Sequence, residues 1–468
     1  MRRRAVLLAL VAATAAAALA GAAGARSTAK PAADVRAAFF ANWDRYARGY
    51  FVNQIPADDL NVIDYAFAFP TAAGGCTLSD PWSDYEAPSN AAQSVDGVPD
   101  DASNPNQHLF GNFNQLAKLK AAHPGLRFEM SIGGWTGSTY FSDVAATPSS
   151  RRAFVRSCID LILKGNLPSD PSTIWPPQAG GPGAAAGVFD GINIDWEYPG
   201  VDPGNGAHFS PNDSDNATLL LREFRRQLDD LGAQTGRHYT LTVDIPGGNV
   251  HSTGSWELAK VAGAADWIDL MAFDYHGSWD PQTDFNSPFT LDPREPPVGG
   301  GAIQSTWSTK GSVDYFLAND VPADKLVVGI PFYGKEYVGV PSTNHGLFQP
   351  HGPAPSNDSP TYHDLVDTGL ADANLTVIGP TAVTPSGPGN DGTGINGFTR
   401  YYDGAAKAPW LYNPTLNGGT FISYVDPHAV GERVELVRSR HLRGVFAWEI
   451  SNDDNANDLA AAMNGPGR

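Results

Sequence analysis

The stretch Phe189-Asp190-Gly191-Ile192-Asn193-Ile194-Asp195-Trp196-Glu197-Tyr198-Pro199 sets three polar residues, Asn193, Asp195 and Glu197, at alternate positions. Alternation of apolar and polar residues is strand spacing. Side chains two apart on a strand share a face, about 6–7 Å from one another. An amide and two carboxylates in one row are costly to bury unless they are partnered or used. A carboxylic acid with a raised pKa can protonate a leaving oxygen, and Glu197 is the candidate. A charge on Asp195 would help to keep Glu197 protonated. Ile192, Ile194 and Trp196 face the other way, toward a core, and Pro199 with Gly200 ends the strand. Asp190, beside Gly191, reads as a structural hydrogen-bonding group. A solvated strand end with ordinary surface carboxylates would give the same local pattern.

Elements must hold such a row in place. Strand-like runs occur at residues 36–41, 62–69, 127–132, 188–197, 239–245, 267–275, 326–332 and 444–450. Helical spacing lies between them, clearest at 215–231, where Leu220, Leu221, Phe224, Leu228 and Leu231 repeat along one face. Further helices are expected at 113–122, 149–164, 255–264, 303–318 and 428–441. Eight apolar strands alternating with helices predict an α/β protein, a (β/α)8 TIM barrel. Active sites in such barrels lie at the C-terminal ends of the strands. Asp195 and Glu197 end the fourth.

The row of polar residues resembles the D-G-x-D-x-D-x-E signature of family-18 glycoside hydrolases, the chitinases and their relatives. Other motifs follow in the family's order. Ser131-Ile132-Gly133-Gly134-Trp135 is similar to S-x-G-G at the third strand. Met271-Ala272-Phe273-Asp274-Tyr275-His276-Gly277 is similar to M-x-Y-D at the sixth. Gly329-Ile330-Pro331-Phe332-Tyr333-Gly334 ends the seventh, and Gly444-Val445-Phe446-Ala447-Trp448-Glu449 forms the eighth. The resemblance covers nearly the whole chain after its first residues. It implies hydrolysis of β-1,4 linkages in N-acetylglucosamine polymers, assisted by the substrate's own N-acetyl group, with no cofactor and no metal.

The resemblance also implies roles. Glu197 is the acid, Asp195 orients the acetamide, Asp274 is a second acid nearby, and Asn193 stands in the row beside Asp195. Trp448 stacks under the sugar ring. Trp135, Trp279 and Tyr337 are further stacking candidates. Phe39, Phe273, Met271, Tyr198 and Tyr275 complete the expected substrate contacts. Ser131 either hydrogen-bonds Asn193 or is purely structural. His276 has no partner motif and reads as structural.

The chain departs from the family pattern at Asn193, where Asp is usual, and at Phe273 and Phe39, where Tyr is common. Asn193 can donate a hydrogen bond to Asp195 without titrating. Phe273 cannot donate a hydroxyl to an acetamide oxygen. Lys335 replaces the more usual Arg after Tyr333-Gly334, which reads as a minor change. A non-catalytic chitin-oligosaccharide lectin and an endo-β-N-acetylglucosaminidase acting on glycans are the rival readings. Retention of the acid Glu197 argues against the lectin.

Residues 336–425 lack the barrel rhythm and are rich in Gly, Pro, Asn and Asp. So long a structureless loop is improbable. The stretch is similar to the small α+β insertion domain that one family branch carries after the seventh strand. The expected organisation is residues 1–25 as a signal peptide, 26–335 as the barrel through strand seven, 336–425 as the insertion and 426–468 as the last helix and strand. The leader follows from Arg2-Arg3-Arg4, an Ala-rich apolar run and Ala23-Gly24-Ala25. A secreted, extracellular protein is therefore expected. The net charge of −19 disfavours nucleic acid and anionic membranes as partners. Chitin or chito-oligosaccharides are the expected partners of a monomer. Cys76 and Cys158 are the only cysteines; an oxidising compartment would permit their pairing. No spacing of Cys or His suggests zinc.

Overall fold

The computed structural model describes residues 34–172, 174–248, 255–297, 305–371, 377–381 and 394–465. The expected leader, residues 1–25, lies outside the described residues.

Fifteen strands appear among the described residues. They are β1 (Val35–Ala41), β2 (Val62–Pro70), β3 (Cys76–Leu78), β4 (Arg127–Gly133), β5 (Gly191–Asp195), β6 (Thr240–Pro246), β7 (Trp267–Met271) and β8 (Leu326–Pro331). Then come β9 (Lys335–Val338), β10 (Leu370–Ala371), β11 (Val377–Gly379), β12 (Thr399–Asp403), β13 (Ala408–Asn413), β14 (Thr420–Ser423) and β15 (Gly444–Trp448). Eight of them, in the order β1-β15-β8-β7-β6-β5-β4-β2, pair in parallel. β1 also pairs with β2, so the sheet closes into a (β/α)8 barrel.

Period-two alternation explains how the barrel fills. Val35, Ala37, Phe39 and Ala41 of β1 point inward and pack with Val62, Ala66, Trp267, Val327 and Phe446. The intervening Ala38 and Phe40, with Ile63 and Tyr65 of β2, point outward and meet the helices. The longest helix, Asp213–Thr235, buries Leu220, Leu221, Phe224 and Leu228 on one stripe, the spacing of a helix lying against a sheet. It stops at Gly236, which takes the left-handed conformation that terminates helices (φ 71°). Among the described residues, the remaining barrel helices of eight residues or more are Gly111–Ala122, Pro148–Cys158, Thr309–Ala318 and Pro427–Arg440.

Between β8 and the helix Pro427–Arg440 lies a second sheet, antiparallel, in the order β12-β13-β14-β9. Tyr337, Trp410, Tyr412 and Phe421 build its core. Tyr337 is fully buried there, so it offers no face to a sugar, contrary to the sequence expectation. β10 and β11 make a separate two-stranded ladder. Cys76 on β3 and Cys158 at the end of its helix stand side by side as free thiols, their sulfurs within hydrogen-bonding reach.

Two strands end earlier than their hydrophobic pattern suggests, and both endings matter for the site. β5 stops at Asp195 because the next backbone donor but one, the Glu197 N–H, turns to the Ser138 hydroxyl (2.9 Å) instead of a neighbouring strand. β7 stops at Met271, and the chain then bends through Asp274 at φ 56°.

Candidate active site

A cleft of about 650 Å³ opens at the C-terminal ends of the barrel strands. Asp195 and Glu197 lie in its floor. Their position depends on the end of β4. The Gly134 N–H donates to the Asp195 carbonyl (2.8 Å), and the Ser138 hydroxyl also reaches that carbonyl (3.2 Å). Gly133 takes φ 119°, and a Cβ there would overlap the Asp195 carbonyl, so the S-x-G-G spacing has a steric cause. Trp196 faces away and stacks on Phe141 (5.2 Å, 14°).

Asp195 is almost wholly buried, and its Oδ1 has no hydrogen-bond partner. Burial raises its pKa well above the carboxylate range, with the charges of Glu197 and Asp244 adding to the rise. Glu197 is pushed up to about 7, chiefly by burial. A hydrogen bond from Tyr198 opposes that rise and the charge of Asp274 adds to it. The two carboxyls therefore hold protons at a pH where exposed carboxylates have lost theirs.

Asn193 is fully buried and does not line the cleft. Its amide donates to Thr242 Oγ1 (3.0 Å) and to Asp244 Oδ1 (3.2 Å), not to Asp195 as the sequence suggested. The strand register accounts for this, since Asn193 sits level with Thr242 of β6. The Ser131 hydroxyl donates to Asn193 Oδ1 (2.7 Å), which fixes the orientation of the amide; Ser131 is itself buried and touches no cleft. Asp190 accepts from the Phe128 N–H (3.0 Å) and pairs with Lys120 and Arg237 on the outside of the barrel.

Asp274 is held by two neighbours that the sequence reading did not assign. The Tyr333 hydroxyl donates to its Oδ2 (2.8 Å), and Lys335 Nζ pairs with its Oδ1 (3.0 Å). Lys335 also lies over the rings of Trp279 (5.2 Å) and Tyr333 (5.1 Å). The lysine that looked like a minor change thus joins the small sheet to the cleft wall that follows β7. Phe273 packs against Tyr333 and Phe446. Tyr275 lines the wall with its ring, but its hydroxyl bonds the Ser312 hydroxyl (2.5 Å), so it cannot replace the hydroxyl that Phe273 lacks.

Trp448 lies in the floor, stacked on Phe67 (5.8 Å, 21°) and tilted against Phe39 (5.1 Å) and Trp43 (6.4 Å). Trp135 and Trp279 line the cleft and are about half exposed, 49% and 59%. Met271 and Tyr198 also line it. Trp43, Phe67, Trp307, Asp244 and Tyr333 belong to the cleft too, and sequence reading passed over them. Asp244 left a legible signal: Thr240, Thr242 and Asp244 put polar groups at alternate positions of an apolar strand. Below it, Asp64, Glu129 and Asp269 are also buried within the barrel. Thr240 and Thr242 donate to Glu129 (2.6 and 2.8 Å), and Trp267 donates to Asp269 (3.1 Å). Burial raises all three acids.

Fold and site together define a (β/α)8-barrel protein with paired, proton-holding carboxyls in an aromatic-lined cleft. Residues 35–453 match Glycosyl hydrolases family 18, and the chain belongs to that family. It is similar to chitinase A1 of Niallia circulans, 31% identical over 89% of this chain and 56% of the relative. Chitinase C of Streptomyces lividans is also 31% identical, over 90% of this chain and 58% of the relative. The chain thus spans little more than half the length of these curated relatives. The catalytic domain of psychrophilic chitinase B from Arthrobacter TAD20 superposes with a TM-score of 0.77 at 29% identity, covering 92% of this chain and 94% of that one.

Proposed function

We propose that the chain is a secreted, retaining chitinase that cleaves β-1,4 bonds between N-acetylglucosamine units by substrate-assisted catalysis. One observation carries this reading. Asp195 Oδ1 is buried without a partner beside Glu197, an acid raised to about 7, above a floor of stacked aromatics. A buried carboxyl oxygen left unpaired is costly. An acetamide N–H entering from the cleft would satisfy it. Glu197 then gives its proton to the glycosidic oxygen, and the acetamide carbonyl oxygen attacks the anomeric carbon from the opposite face. Asp195 keeps the hydrogen bond from the acetamide N–H and so holds the oxazolinium ring in place. A water deprotonated by Glu197 opens the ring and returns the original anomeric configuration. A carboxylate nucleophile is not needed when the substrate supplies one.

Trp448 offers a flat apolar face to the sugar's C–H side. Names of relatives such as chitinase A1 support chitin as the polymer. The basic, then apolar, then small-residue order of residues 1–25 supports export. The test is hydrolysis of chitin oligomers by wild type and by Glu197→Gln, with fresh products read by NMR. The expected result is β-anomer product from wild type and a loss of 10²–10⁴ in kcat for the variant, the usual contribution of a positioned acid. Unchanged turnover in Glu197→Gln would place the acid elsewhere. Binding without turnover in both proteins would favour a lectin.

A further inference from the structure

Behind the wall that carries Asp274 and Trp279, the loop following β7 folds back on itself and gathers His276, Asp280, Asp284 and Glu295. All four side chains are at most 8% exposed. We infer that His276 Nε2, Asp284 and Glu295 form a binding site for one divalent transition-metal ion, with Asp280 orienting the imidazole.

Four features of the cluster carry this inference. The donor atoms of His276, Asp284 and Glu295 all lie within 4.8 Å of one another. His276 Nε2 stands 3.4 Å from Glu295 Oε1 and 3.9 Å from Asp284 Oδ2. Tetrahedral ligands about 2.1 Å from one ion are about 3.4 Å apart, so these separations fit two ligands of one metal better than a direct hydrogen bond. His276 Nε2 and Glu295 Oε1 are both deeply buried and face each other at 3.4 Å, and neither atom makes a hydrogen bond of good geometry, an arrangement that native interiors rarely leave standing. The other ring nitrogen is already engaged. His276 Nδ1 lies 3.0 Å from Asp280 Oδ2, and the Gly277 N–H helps to hold that carboxylate. A carboxylate behind the far nitrogen of an imidazole fixes its tautomer and aims Nε2 at a metal. Asp284 is likewise steadied, its Oδ1 accepting from the Phe285 N–H (2.7 Å).

One imidazole with two carboxylates suits Zn²⁺ or Mn²⁺ better than Ca²⁺, which prefers six or more oxygens. The site stands apart from the reacting carboxyls. It reaches the cleft through Trp307, whose ring meets His276 edge-on (5.3 Å, 64°) and also lines the cleft. A bound ion would therefore act as a clamp on the loop that carries Asp274 and Trp279. A proton can compete for the same place, because the three carboxylates outweigh burial and push the imidazole up to about 10.

The experiment uses the whole chain, freed of metal with a chelator and dialysed. Zn²⁺, Mn²⁺ and Ca²⁺ are each titrated by calorimetry, and thermal unfolding is followed alongside. One equivalent of Zn²⁺ or Mn²⁺ should bind, raise Tm and be removed by the chelator. Glu295→Gln and Asp284→Asn should each weaken binding by more than about tenfold, the loss that removing even an outer-shell partner of a ligand causes. Absence of Zn²⁺ and Mn²⁺ binding to the wild-type protein up to millimolar concentration overturns the proposal and leaves a proton as the occupant. Binding of Ca²⁺ alone, or binding that persists in both variants, overturns it as well. The wild-type titration decides the matter even where a variant fails to fold, and neither readout depends on catalysis.

Discussion

The central residue here is Asn193, an uncharged amide in a row of acids. It accepts from Ser131 and donates to Asp244, so it passes no proton of its own. Asn193→Asp would place a carboxyl against Asp244, and like charges at that range cannot both ionise. The added negative charge should make Glu197 harder to deprotonate. In the proposed mechanism Glu197 acts while protonated, so kcat/KM for chitin oligomers should fall as pH rises through about 7. In Asn193→Asp that alkaline limb should move up by about one unit, the size of shift one neighbouring charge commonly causes. Superimposable pH–rate profiles for the two proteins would show that the amide position does not communicate with the acid.

Element ends, rather than element middles, make the cleft. The strand rhythm and the barrel were legible because inward Val, Ala and Phe alternate with outward apolar residues, as along β1. Asp195 and Glu197 were legible because carboxylates stand out at a strand end. What stayed hidden came from other segments. Lys335 belongs to a second sheet and meets Asp274 only through folding. Trp43 follows the first strand with no motif of its own, and Phe67 stands in the alternating run Tyr65, Phe67, Phe69 of β2, where an aromatic reads as core. Tyr337 misled in the opposite direction, read as a stacking face and found in the core of the second sheet. Ser138 gave no signal at all, yet its hydroxyl links Gly134, Asp195 and Glu197. Ser138→Ala leaves the part-buried Glu197 N–H without its partner, an effect of about 1 kcal/mol. Turnover should fall about tenfold or more while KM changes little, because the acid's placement suffers and the aromatic floor does not. A lower Tm with kcat intact would reduce Ser138 to a prop for the fold.

At the scale of the whole molecule, the buried acids set how stability follows pH. Asp64, Glu129, Asp244 and Asp269 all have raised pKa values because burial penalises their charged forms. In the unfolded chain they would ionise near pH 4. Between there and their folded values, the native state binds more protons than the unfolded one, so stability falls as pH rises. Thermal unfolding across pH 4.5 to 8.5 should show Tm declining toward the alkaline end. A Tm that climbs over that range would mean that paired surface carboxylates govern stability instead.

The barrel's seam adds a consequence in time. β1, the first strand described, has β15, the last strand described, as one of its two neighbours. During synthesis β1 therefore waits with one edge bare while the whole intervening chain leaves the ribosome. So does β8, whose second neighbour is that same late strand. A bare parallel edge invites pairing with another chain. Contacts between distant parts of a sequence also form slowly. Nascent chains that stop short of Gly444 should thus be the form most in need of a chaperone.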